Sequence, residues 1–128
     1  MDFARDLMVM VLLHDITMCD TFTAQWHQLW DQLEMRKAVF TGYYTTPAVE
    51  VVTGNPNVKT ALYRWKNSRK AVLIIGNTQN TPQSFRIDDS KLRLQDKAKD
   101  LFNNCSVDLR QKFEFKDFDF RVLEVFID

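Results

Sequence analysis

His14 and Asp15 are the adjacent pair whose residue types suit general acid–base chemistry, and they follow directly on the apolar run Leu7 to Leu13. For both to act on one substrate, imidazole and carboxylate must face one cavity. Neighbours along a strand point to opposite faces, so only a bend could bring these two together. On spacing alone they read as a cap and a packed histidine before they read as substrate-contacting residues. His27, beside Trp26, reads as an ordinary helix-surface histidine. Two histidines and two cysteines, Cys19 and Cys105, show no zinc-ligand spacing, so no metal is expected. The two thiols could form at most one disulfide and read as buried or half-buried free thiols.

Nucleophilic and phosphate chemistry find less support still. The sequence contains no Gly-x-Ser-x-Gly elbow and no glycine-rich phosphate loop, with only three glycines in all. No cofactor is expected. A glycosidase needs two carboxylates a few ångströms apart, and Asp88, Asp89, Asp96, Asp100, Asp117 and Asp119 are available. They fall in expected turns, where Asp bonds its own backbone, and read as solvated turn residues. Tyr43, Tyr44, Tyr63 and Trp65 are the residues suited to a wet platform for the apolar faces of sugar rings. Phe102, Phe113, Phe115, Phe118, Phe120 and Phe126 are the wrong chemistry for such a platform and are assigned to a core.

The elements that must position these residues change character near Gly42. Before it, Phe22, Trp26, Leu29, Trp30 and Leu33 recur at spacings of three and four, which predicts an amphipathic helix over 21–38, capped by Asp20 or Thr21. Arg36 and Lys37 would occupy its last turn, complementing the negative end of the helix dipole. Residues 3–10 are read as an earlier helix and 11–14 as a strand. After Gly42 the pattern becomes that of strands. Val58–Trp65 and Lys70–Asn77 form an expected hairpin across the polar turn Lys66-Asn67-Ser68-Arg69, and its second arm is apolar at consecutive positions, as a strand covered on both faces requires. Gln83 to Ile87 is read as a third strand. Val107, Leu109, Phe113 and Phe115 share one parity, Lys116-Asp117-Phe118-Asp119 reverses the chain, and Phe120 to Ile127 closes it with Leu123, Val125 and Ile127 on one face. The expectation is an α+β chain: an antiparallel β-sandwich over 42–128 behind a two-helix N-terminal segment over 1–41.

At 128 residues the chain is long enough for one packed core and too short for two ordinary domains. Seventeen basic and seventeen acidic side chains cancel, which removes the general electrostatic argument for nucleic acid or an anionic membrane as partner. The longest apolar run is far below the roughly 20 residues that span a bilayer. Asp2 and Asp6 at the start, and His14 at the end of the apolar run, do not fit a secretory signal. A soluble protein is expected, of no assigned compartment.

From Val58 onward, VKTALYRWKNSRKAVLIIGNTQNTPQSFRI resembles the C-terminal all-β domain attached to many (β/α)8-barrel glycoside hydrolases: a strand ending in Tyr-Arg, a short polar turn, an apolar strand ending near Asn, and a Thr/Pro-rich turn. The closing KFEFKDFDFRVLEVFID is similar to the final hairpin of that domain, in which an acidic-aromatic reversal precedes Arg-Val-Leu. LMVMVLLHDIT and the helix of Trp26 and Trp30 resemble the last helix, strand and helix of the preceding barrel, so the likeness extends over about residues 5–127. It implies the tail of a larger enzyme, with His14 and Asp15 on the barrel's substrate face, because the catalytic loops follow the strand C-termini. Acid and nucleophile carboxylates would come from earlier strands, so no catalysis by this chain alone is implied. The implied partner is a catalytic barrel, or a second copy meeting through apolar helices. The competing expectation is a stand-alone module that binds carbohydrate or protein.

Overall fold

A computed structural model describes residues 24–128. Within the expected helix, α1 spans Ala24–Gln32 and stops well short of Ala38. Glu34 takes a left-handed conformation (φ 52°), and a 3-10 turn over Met35–Lys37 follows. The physical reason lies just beyond. Met35 is buried, and Val39 and Phe40 belong to the first strand, β1 (Val39–Gly42), so the chain must leave the helix axis early to reach the sheet. Arg36 and Lys37 accordingly lie in the 3-10 turn, where Lys37 pairs with Glu34 at 3.3 Å. The two-helix N-terminal segment is not borne out. Among the described residues α1 is the one α-helix, and the segment expected to form the earlier helix and strand lies outside them, with Phe22 and Cys19.

The expected hairpin forms as β2 (Val58–Arg64) and β3 (Lys70–Asn77), in antiparallel register from Val58 opposite Asn77 to Arg64 opposite Ala71. Asn67 takes φ 62° at its tip, a left-handed conformation that asparagine tolerates better than most residues. The remaining strands are β4 (Gln83–Phe85), β5 (Lys97–Asp100), β6 (Cys105–Asp108), β7 (Phe113–Phe115) and β8 (Phe120–Phe126). Six of the eight described strands make one antiparallel sheet in the order β1-β2-β3-β8-β5-β6, and β4 pairs with β7 in a second sheet. The third strand thus forms but leaves the hairpin: β8 takes the free side of β3, with Lys70 opposite Phe126.

Each face of the large sheet has its own core. Val58, Leu62, Leu73, Ile75, Leu123 and Val125 meet Phe85, Phe113 and Phe115 of the small sheet, together with Val49, Val51 and Leu109 from the connecting segments. On the opposite face Ala61, Tyr63, Val72, Ile74 and Val122 meet Met35, with Leu29, Trp30 and Leu33 of the helical segment packed against them. This double cover explains why β3 is apolar at consecutive positions. The phenylalanines do not share one core. Phe113 and Phe115 lie between the sheets, Phe102, Phe118 and Phe120 lie on the helix side, and Phe126 is exposed.

Asn77 ties the end of β3 to two loops. It is fully buried; its Nδ2 donates to the carbonyls of Thr81 and Lys116, each at 2.9 Å, and its Oδ1 accepts from the Gln79 amide at 3.0 Å. Asn77→Ala leaves those backbone groups without their buried partner, at a cost of about 1–3 kcal/mol. A fall in the urea midpoint at constant m-value checks this.

Candidate functional site

Two carboxylates expected in water are in fact buried: Asp100 is 2% exposed and Asp119 4%. Asp100 closes the turn after β5, its Oδ1 accepting from the amides of Phe102 (3.0 Å) and Asn103 (2.9 Å) and its Oδ2 from Asn103 Nδ2 (2.9 Å). Asp119 precedes β8, where its Oδ1 accepts from the Phe120 amide at 3.0 Å and from Arg121 Nη1 at 2.8 Å. Arg121 stands between them, with its Nε 3.7 Å from Asp100 and its guanidinium 4.9 Å from the centre of the Phe115 ring. Both carboxylates are therefore committed to turn amides and to one guanidinium, an arrangement that fixes loops rather than moving protons.

A second cluster lies at the surface. The Arg110 guanidinium donates to Asp89 through two bonds of 2.8 and 3.0 Å, to Asp96 at 2.8 Å and to the Leu94 carbonyl at 2.6 Å. These carboxylates push the Arg110 pKa upward, and the hydrogen bond from Arg110 holds Asp89 below the usual carboxylate range. Asp88 is also lowered, by hydrogen bonds from Ser90. A cavity of about 570 Å³ adjoins this cluster, bordered also by Arg93 and Asp128. Because the Asp89 pKa is depressed on folding, its stabilising contribution is present above the unfolded-state value of 3.8 and is lost as pH falls through the lower folded value. Asp89→Asn should therefore flatten the decline of Tm as pH is lowered from neutral through the carboxylate range. A decline as steep as in the parent would contradict this assignment.

The aromatic candidates separate. Tyr63 is 1% exposed, its ring 5.8 Å from Trp30 and 5.0 Å from Phe40, so it belongs to the helix-side core and is withdrawn from any wet surface. Tyr44 continues the string of rings at 6.1 Å from Phe40, and Tyr43 follows at 5.3 Å. Both are exposed, yet they meet at 78°, edge to face, and Lys59 Nζ sits 5.2 Å above the Tyr43 ring. Trp65 is half-buried: its Nε1 donates to the Glu34 carbonyl at 3.1 Å, and Lys70 Nζ lies 5.8 Å from its ring centre. Sequence pattern did not bring Phe40 and Trp30 into this group, because each reads as core by type.

A groove of about 590 Å³ opens where β1 and β2 reach the hairpin tip, bordered by Val39, Glu50, Arg64, Trp65 and Arg69. Sequence reasoning missed it as a unit, since Glu50 enters from a loop. His14 and Asp15 lie outside the described residues. Among the described residues no cluster of three His, Cys, Asp or Glu could hold a metal ion, and no helix is long and apolar enough to cross a membrane. Cys105, read as buried or half-buried, is exposed on the edge strand β6.

The described residues thus form a two-layer antiparallel β domain with one helix packed on its large sheet. No family model matches the chain, and no curated protein matches it. Among solved structures it is similar to Gan42B, a GH42 β-galactosidase, at 16% identity over 80% of this chain with a TM-score of 0.44. It is also similar to a catalytic mutant of Gan42B from G. stearothermophilus, at 16% identity over 84% of this chain with a TM-score of 0.45. The chain spans 12% of the length of either structure.

Proposed function

We propose that this chain is a non-catalytic accessory domain of a glycoside hydrolase-like protein, packing against and stabilising a catalytic barrel. The observation that carries this reading is the fate of the carboxylates. Asp100 and Asp119, the two buried ones among the described residues, are engaged by turn amides and Arg121, and Asp89 by Arg110, so these three carboxylates are occupied in holding loops rather than placed for glycoside hydrolysis. The resemblance of the hairpin and of the closing Arg121-Val122-Leu123 segment to the C-terminal domain of barrel hydrolases supports the same reading.

The barrel is favoured over a second copy as the partner. Leu29, Trp30 and Leu33, which would drive helix-mediated pairing, already pack on this chain's own sheet. The alternative, a stand-alone carbohydrate-binding module, has Tyr43 and Tyr44 as its exposed aromatic pair, and their edge-to-face geometry gives a sugar no single flat surface. The test is to assay the purified chain against a panel of aryl glycosides and to titrate it with polysaccharides. No turnover and no saturable binding is the expected result. Hydrolysis lost on Asp15→Asn would overturn the accessory reading in favour of an enzyme, and saturable binding lost on Tyr44→Ala would overturn it in favour of a sugar-binding module.

A further inference from the structure

We infer that the groove beside β1 docks an acidic, extended segment of a partner protein, which pairs with β1 at the edge of the six-stranded sheet; this rests on the accessory-domain reading and names the chemistry of its partner. Among the described residues β1 is the end strand of that sheet. The amide and carbonyl of Gly42 are turned away from β2, engaged by Thr45 and Val49 of the following loop. Backbone groups alternate in direction along a strand, so those of Phe40, two residues earlier, also point outward from the edge. Beside them Val39 is 65% exposed, a β-branched side chain of the kind that strand pairing favours.

Charge sets the sign of the occupant. Arg64, Lys66 and Arg69 border the groove against the single carboxylate of Glu50. Arg64 and Glu50 meet only at 3.8 Å, both nearly half-exposed, so the guanidinium keeps donors for a carboxylate from outside. A second copy of this chain fits poorly, because pairing β1 with β1 would bring two cationic grooves together. A saccharide fits poorly too. Trp65 is half-buried, tethered to the Glu34 carbonyl and approached by Lys70, which leaves little free ring for stacking.

The experiment is a fluorescence-anisotropy titration of the full chain with a labelled peptide that alternates glutamate and valine. Its lysine–valine counterpart and polygalacturonate serve as competing ligands. Saturable binding of the acidic peptide is expected, weakened about fivefold by the double change Arg64→Gln and Arg69→Gln. Val39→Asp, on an exposed side chain, should abolish it by placing like charge at the edge. Equal binding of the lysine peptide, or acidic-peptide binding indifferent to all three changes, overturns the inference. Polygalacturonate binding with the same sensitivity to the variants also overturns it, by making the groove a saccharide site. Failure here leaves the accessory reading standing, since that reading falls on glycoside turnover or on Tyr44-dependent sugar binding.

Discussion

Asp100→Ala is expected to lower the stability of the chain by about 3 kcal/mol, the low end of the range seen when one partner of a buried charge pair is removed. The low end applies because Arg121 is 29% exposed and can turn toward water or rely on Asp119. The larger loss falls on the turn itself. The Phe102 and Asn103 amides lose their acceptor, and Phe102 is packed on the helix side of the sheet, where it meets Phe120 at 5.5 Å. Asp100→Asn separates the two contributions. It keeps an oxygen for the turn amides while removing the charge that faces Arg121, so it should recover a good part of the loss. Urea unfolding followed by linear extrapolation reads both variants. An Asp100→Ala value within about 0.5 kcal/mol of the parent, the scatter of ordinary surface substitutions, would show that the carboxylate is not structural.

That a buried aspartate holds this turn could not be read from the sequence, and the reason is physical. Asp in a polar stretch is explained equally well by solvation, and its half-buried partner Arg121 lies on another strand. The strand Lys97–Asp100 was itself hidden: Lys-Ala-Lys-Asp alternates, but its inward residues are Ala98 and Asp100 rather than a pair of large apolar side chains. β1 was obscured because a helical stripe runs into it, and only the left-handed Glu34 breaks the period. By contrast β2, β3 and β8 were legible. β3 carries an apolar run with a polar turn before it, and Leu123 and Val125 keep strict alternation onto the inter-sheet core. The phenylalanines show where parity fails. Phe115 and Phe120 stand on either side of the reversal at 116–119, across which the chain passes from the small sheet to the large one, and they end in different cores. Among the site candidates, Tyr63 and Tyr44 are the same residue type. Only the cover of Trp30 and Phe40 over β2 makes one a core ring and the other a surface ring.

Phe115→Ala should be at least as damaging as the loss of Asp100, by about 3–5 kcal/mol. Phe115 is 2% exposed and packs edge-on against Phe85 at 4.8 Å, so its removal opens a cavity between the two sheets where the small one has just three residues per strand to close over it. The cavity would lie directly against Arg121, whose guanidinium covers the ring. Water admitted there would weaken the hold of Arg121 on Asp100, so the two losses should not add. In a double-mutant cycle the combined variant is expected to be less destabilised than the sum of the singles, by at least about 0.5 kcal/mol. Trp30→Ala supplies the control, since Trp30 packs on the opposite face of the large sheet in a separate core. Its effect should add to that of Phe115→Ala within about 0.5 kcal/mol. Strict additivity in the first pair would mean that Arg121 does not link the inter-sheet core to the turn after β5. Strong coupling in the second would mean that the two cores are not independent across the sheet.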